Sequence, residues 1–304
     1  MNVAVRERRW RAAHPVSLRL LLGVHARGAG DPTYVSDRSG AVWRTARTPD
    51  GPGTARFALE SDVVAVTAWG DGAQWLCEMA PAWLGAEDDL SDWAPDVPVL
   101  RDGTRRTCGP RVGRTGLVME ALLPAILEQK VTGGEARRAW RWLVRRYGEP
   151  APGPAAGMAV VPEPSVWRSI PSWDWHRAGV GPQRSATAVR AAGVAARLEE
   201  AVGMPPEQAD QRLQAVPGVG AWTSAEVRQR ALGDADAVSV GDAHVPRMIT
   251  WALTGQVSDS DDDMLRALEP YLGHRFRVQR VLELTGVSGP RFGPKYSPHD
   301  FRGM

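Results

Sequence analysis

The run Val216-Pro217-Gly218-Val219-Gly220-Ala221-Trp222-Thr223 constrains this chain more than any other, because it breaks helical sequence on both sides with residues that force a tight turn. Gln208 to Ala215 reads as a helix that Pro217 and the two glycines end, and Ala221 to Leu232 resumes helical composition. The expected unit is a helix-hairpin-helix. Gly218 and Gly220 are read as backbone positions closed to other residues, so that peptide N–H groups around Val219 and the second helix start converge on a phosphate oxygen, with Thr223 adding a hydroxyl. A bare Pro-Gly-x-Gly is equally an ordinary turn between packed helices. The balance shifts with Asp242, twenty residues after Trp222, because a phosphate grip joined to a carboxylate suggests chemistry on DNA.

Composition alone does not suggest DNA. The 304 residues are 43% hydrophobic, enough for a sizeable core, but 37 Lys and Arg face 35 Asp and Glu, a net charge of +2. Any nucleic-acid surface must therefore be a local patch. Cys77 and Cys108 are too few for a four-cysteine cluster and have no Cys partner at ligand spacing, so they read as reduced, structural thiols. No apolar run approaches the ~18 residues of a membrane span, and the charged start from Arg6 to Arg11 leads into no cleavage-type segment. An intracellular protein is expected, without membrane contact. Arg carries almost all the positive charge, with Lys130 and Lys295 the only lysines; with abundant Ala and Gly this fits a GC-rich bacterial genome, hence a cytoplasmic protein at the nucleoid.

The organisation reads as α+β. Alternation from Val16 to Val24 and apolar runs at Ala41 to Trp43, Phe57 to Leu59 and Val63 to Trp69 predict strands, and a helix around Gln74 to Leu84 covers them. Gly51-Pro52-Gly53-Thr54 lacks the Lys of a phosphate-binding loop and reads as a hairpin turn. Expected boundaries are a small antiparallel β-rich domain over 1–100, a basic linker over 101–115, an all-α domain over 116–286 and an irregular tail over 287–304. Leu117 to Gln129 is a helix interrupted by Pro124, and Thr132-Gly133-Gly134-Glu135 has capping-box spacing before a helix facing inward through Ala136, Ala139, Trp140, Leu143, Val144 and Tyr147. A Pro/Gly-rich loop over 148–164 follows, then helices at about 183–202, 206–215, 221–232, 243–253, 261–268 and 273–284.

From about Gly109 to Gly286 the chain resembles the helix-hairpin-helix DNA glycosylase superfamily, and most resembles bacterial 3-methyladenine DNA glycosylase II. The resemblance rests on the hairpin, on Trp222 directly after it, on Asp242, and on Ile126-Leu127-Glu128-Gln129-Lys130-Val131. It implies a β-rich N-terminal domain, a hairpin that holds the lesion strand, a base pocket lined by Trp222, and a catalytic Asp242. It also implies that Gln129 and Lys130 enter the duplex beside the lesion, although Lys130 is cationic where relatives commonly carry an apolar wedge. A monovalent cation, Na+ or K+, on the backbone carbonyls of Gln214, Val216 and Val219 belongs to the same resemblance. No other cofactor is required, and the expected state is a monomer on double-stranded DNA containing damaged bases.

The chemistry asked of such a site is cleavage of the bond between C1′ and a base turned out of the helix, through oxocarbenium-like charge. Asp242 suits that charge, although Asp also commonly caps a helix, here one beginning at Ala243. Trp222 offers a stacking face, best for a base made cationic by alkylation. Trp173, Trp175 and His176 are further pocket candidates, His244 a phosphate contact, and Arg184, Arg228 and Arg247 phosphate candidates among many arginines. The expected activity is monofunctional excision of alkylated purines of the 3-methyladenine type, since no amine follows the hairpin. Its rivals are excision of oxidised or deaminated bases and a catalytically silent DNA-binding module.

Overall fold

A computed structural model describes residues 3–107 and 109–289 of the chain. Cys108 and most of the expected tail lie outside the described residues. The N-terminal part comprises β1 (Val5–Arg11), α1 (Leu18–Leu22), β2 (Tyr34–Ser36), β3 (Val42–Thr48), β4 (Gly51–Glu60), β5 (Val63–Gly70) and α2 (Ala73–Trp83). The strands form one antiparallel sheet in the order β1-β5-β4-β3-β2. Alternate residues of β5, among them Val64, Val66 and Ala68, are buried with Phe57, Leu76 and Trp83 of the facing elements, so one face of the sheet is closed by α2.

Three local expectations change. Val16 to Val24 is not a strand: Ser17 Oγ accepts the Leu20 N–H at 3.4 Å, and Leu18, Leu21 and Leu22 bury the inner face of α1. The run holds apolar residues at both spacings, and the cap decides. The charged start instead supplies β1, an edge strand needing no apolar alternation, whose Arg9 and Arg11 reach Glu60 (2.6 Å) and Asp62 (3.1 Å). The β3–β4 turn is Pro49-Asp50, with Thr48 opposite Gly51, so Gly51 to Thr54 already belong to β4.

Helices follow: α3 (Pro98–Arg106), α4 (Val118–Glu128) and α5 (Gly133–Tyr147), then a two-stranded ribbon of β6 (Glu149–Pro150) and β7 (Ala159–Val160). After it come α6 (Pro164–Ser169), α7 (Ser172–Arg177), α8 (Pro182–Gly193), α9 (Ala195–Glu199), α10 (Pro206–Gln214), α11 (Ala221–Val227), α12 (Val245–Thr254), α13 (Asp261–Leu268) and α14 (Arg275–Thr285). α4, apolar except for Glu120 and Glu128, runs through the middle of the larger core, its Leu122 and Ile126 among Leu143, Trp167, Leu198, Leu213 and Val227. The Thr132–Glu135 capping box forms in both directions at the start of α5. The stretch read as a linker begins inside α3: Leu100 joins Ile249, Met264, Leu268 and Val281 in a third core, and a Cβ on Gly103 would come within 2.4 Å of Val281.

One buried ion pair joins α14 to the segment after α2. Arg277, with no exposed surface, donates to both oxygens of Asp88 at 2.7 Å and to the Pro110 carbonyl at 2.8 Å. Removing one partner leaves a charge in the interior, so Arg277→Ala is expected to lose about 3–5 kcal/mol. The check is the shift in urea midpoint, and a loss below about 1 kcal/mol would show the pair to be dispensable.

Candidate active site

The hairpin between α10 and α11 is positioned by close backbone approach. Gly218 has φ +99°, and a Cβ there would sit 2.1 Å from Thr187 Oγ1 on α8, so both conformation and space exclude a side chain. Gly220 is different. Its φ of −104° and ψ of −174° are ordinary extended angles, and nothing lies within 4 Å of an added Cβ. The expected conformational demand at Gly220 is therefore absent. What its missing side chain provides is open access to the N–H groups of Gly220 and Ala221, which at a helix start have no intrahelical acceptor. Val219 is buried, and its N–H bonds the Val216 carbonyl at 2.9 Å, which removes it from the candidate phosphate donors.

Gln129 ends α4 and reaches the hairpin. Its Nε2 donates to the Gly218 carbonyl at 2.9 Å and to Thr223 Oγ1 at 2.8 Å. Gln129 is thus a brace between two elements, not a group free to enter a duplex, and the buried Thr223 hydroxyl is turned inward to it rather than outward to a phosphate. Lys130, the next residue, is exposed on the cleft in the left-handed region at φ +53°. A lysine held in that conformation is an outlier maintained by its surroundings.

Asp242 serves two structures. Oδ1 accepts the backbone N–H groups of His244 (2.7 Å) and Val245 (3.1 Å) and so caps α12, while Oδ2 accepts the Trp222 indole N–H at 3.0 Å. Capping and cleft-facing roles coincide in one carboxylate. The indole ring, locked by that bond, and the carboxylate share the wall of a cleft of about 2030 Å³ that also takes in Lys130, Gly218, Gly220, Thr223 and exposed His244. On α7, buried Trp175 and exposed His176 line the cleft, but Trp173 is 64% exposed and lies outside its lining.

The three arginines expected at phosphates are engaged elsewhere. Arg184 donates to the Leu127 carbonyl at 2.7 Å and the Gly179 carbonyl at 3.0 Å, closing the end of α4. Arg228 pairs with Asp234 at 2.7 Å, and Arg247 with Asp259 at 2.7 Å.

A charged and amide-rich floor also lines the cleft. Arg230 Nη1 donates to Glu226 at 2.7 Å, Ser239 Oγ donates to the other Glu226 oxygen at 2.8 Å, and Gln229 and Gln279 both reach Ser239 Oγ, at 3.0 and 3.2 Å. Arg27 meets Glu128 at 3.2 Å, and Arg280 meets Glu283 at 3.1 Å. Burial first, and then the cations Arg44, Arg230, Arg27 and Arg280, push the His25 imidazole well below its ordinary range. None of these floor residues stood out in the sequence. The available signal was the acid–base pair Glu226 and Arg230 at helical spacing, with its acid among positions that a packed helix keeps apolar.

The contrast between the two glycines is testable. Gly218→Ala combines left-handed backbone with a clash and is expected to lose roughly 1–3 kcal/mol of stability, whereas Gly220→Ala should change it by under about 0.5 kcal/mol. Urea unfolding of both variants is the measurement, and equal losses would refute the geometry described.

No protein-family model and no curated sequence matches the chain. Solved structures do. A 3-methyladenine DNA glycosylase from Archaeoglobus fulgidus superposes with a TM-score of 0.78 at 18% identity, over 92% of this chain and 99% of that one. A Clostridium acetobutylicum 8-oxoguanine glycosylase/lyase, solved with double-stranded DNA containing cytosine opposite 8-oxoguanine, gives 0.73 at 11% identity, over 93% and 97%. The chain has the fold of the helix-hairpin-helix DNA glycosylases, a β-sheet domain followed by helices, as the sequence resemblance implied. Among the described residues, no helix is long and apolar enough to cross a membrane.

Proposed function

We propose that this chain is a DNA base-excision glycosylase that hydrolyses the N-glycosidic bond of a damaged base in duplex DNA, with alkylated purines of the 3-methyladenine type as its substrates. One observation carries the reading: Asp242, anchored by two backbone N–H groups and the Trp222 indole, faces the cleft beside a hairpin with open N–H groups. The hairpin would hold a phosphate of the lesion strand, and the flipped nucleotide would bring C1′ to Asp242. The carboxylate then stabilises the sugar cation and orients the attacking water, while the fixed indole face stacks on the base. The acting protein would be a monomer in the bacterial cytoplasm.

No amine follows the hairpin, so the proposed product is an intact abasic site. Among the described residues Lys130 is the lysine that lines the cleft, and it is the amine to be tested. A monovalent cation on the carbonyls of Gln214, Val216 and Val219 stays part of the proposal, and the residues fit it. Gln214 closes α10, where final carbonyls lack intrahelical partners, and the Val216 oxygen keeps a lone pair beyond its bond to Val219. Such an ion would tie the hairpin carbonyls together.

The polar floor supports a second reading. Guanidinium and amide groups complement the edge of a neutral, oxidised or deaminated base, whereas a cationic alkylpurine needs only the indole face and a good leaving group. A lesion panel decides between them: release of 3-methyladenine is expected to exceed that of 8-oxoguanine, and the reverse order would promote the second reading.

Asp242→Asn is expected to lower single-turnover base release at least ~100-fold while duplex binding stays within a few-fold. An amide has one acceptor oxygen, so either the α12 cap or the Trp222 bond weakens, at about 1 kcal/mol of stability. Trp222→Phe removes that bond from the other side and supplies the control: wild-type release by the Asn variant would leave Asp242 as a cap alone. Gly220→Glu should weaken binding to duplexes of any sequence. Unchanged affinity in that variant would place DNA elsewhere. Borohydride reduction during turnover should trap little protein–DNA adduct, and an adduct formed as fast as base release and lost in Lys130→Ala would make Lys130 a nucleophile.

A further inference from the structure

α5 presents a concentration of positive charge that the cleft does not use. Its outward face carries Arg137, Arg138, Arg141, Arg145 and Arg146, and its acidic residue Glu135 is committed to the capping box with Thr132. Many other arginines are paired with acids, as in Arg275 with Asp236 and Arg277 with Asp88. Among the described residues no ion pair is formed by these five. Arg145 donates to the Gly30 carbonyl at 2.7 Å, and Arg146 lies over the Tyr147 ring at 5.8 Å. In a chain of net charge +2, five cations on one helix against the single acid Glu135 make a local field.

The face is also ordered. Arg137, Arg141 and Arg145 recur one turn apart along the glycine loop after α1, where a Cβ on Gly28 would meet Arg137 Cδ at 2.9 Å and one on Gly30 would meet Arg145 Nη2 at 3.3 Å. That loop is held against α5 by buried Asp31, which accepts from Arg27 N (2.6 Å), Thr33 N (2.9 Å) and the Trp140 indole (3.2 Å). Arg138, Arg141, Arg145 and Arg146 surround a hollow of about 460 Å³ beside Trp142. Arg137 lines both this face and the cleft, so the basic surface is continuous with the proposed lesion site.

We infer that the arginine face of α5 is a second DNA-contact surface, gripping the phosphate backbone of the duplex that flanks the lesion. The inference rests on the reading of the cleft as a DNA site. A helix of this length spans about 22 Å, which matches roughly six base pairs of duplex. The contact is electrostatic and sequence-independent, and it adds affinity without touching the reacting bond.

The test uses a triple variant, Arg138→Gln with Arg141→Gln and Arg146→Gln, which leaves Arg137 and the Arg145 contact in place. Binding is measured against salt on two lesion duplexes, one of about 10 base pairs confined to the cleft and one of about 24 base pairs. On the long duplex the variant is expected to lose roughly 10-fold or more in affinity, and the slope of log K against log salt should fall by about 2 to 3. Short-duplex affinity and single-turnover release at saturating protein should stay at wild-type values. Footprinting of the wild-type protein should show protection extending about six base pairs beyond the lesion on one side only. If long-duplex affinity and slope are unchanged, or the footprint stops at the lesion, the face serves another polyanion or an acidic protein and the inference is overturned. If the wild-type protein binds neither duplex, the DNA reading of the cleft itself fails and takes this inference with it.

Discussion

The geometry of the cleft hangs on the contact between the backbone at Gly218 and Thr187. α8 and the hairpin approach so closely there that an added Cβ would come within 2.1 Å of the threonine hydroxyl. The same glycine offers its carbonyl to Gln129, so the ends of α4 and α10 and the start of α11 are fixed relative to one another through one residue. Lys130 is carried by that arrangement: its left-handed backbone lies one residue beyond the amide that braces the hairpin. A shift of the hairpin would therefore move the Lys130 turn with it. The hairpin and the Lys130 turn form one mechanical unit.

Charge is distributed by use rather than by amount. The chain is nearly neutral, and its cleft floor alternates Arg27, Arg230 and Arg280 with Glu128, Glu226 and Glu283. Such pairs cancel at a distance, so they cannot draw a polyanion in from solution, but at contact each group still presents a directed donor or acceptor. On the proposed function, the floor would act at short range. Long-range attraction would then come from elsewhere, and α5 gathers five arginines that form no ion pair among the described residues.

The larger pattern was readable because it rests on spacing. The capping box of α5, the apolar α4, the hairpin between two helices and the apolar run that becomes β5 all follow from local pattern and turn chemistry, and each is present. What escaped depends on tertiary partners. β1 is almost wholly charged and becomes a strand because β5 offers an edge, and α3 looks like a basic linker until Gly103 is laid against Val281. At the cleft, Trp222 and Asp242 could be proposed because their places relative to the hairpin are fixed in sequence, and the structure joins them by a hydrogen bond of 3.0 Å. The role of Gln129 was misread, since it depends on a carbonyl and a hydroxyl roughly ninety residues away in the chain. The floor residues were invisible for the same reason: each sits on a helix of ordinary composition, and only packing turns those faces toward one another.

Asp242 shows that capping and the catalytic role proposed for it need not compete. A carboxylate free to rotate would have to be oriented anew in each turnover, whereas this one is held by three N–H groups from two elements. Two of them belong to the start of α12, whose dipole also favours negative charge at that end. The third is the indole on the same cleft wall, so a displacement of the ring would be felt directly at the carboxylate. An electrostatic role requires that the charge be in place before the sugar cation develops, and it is the structural bonds that put it there.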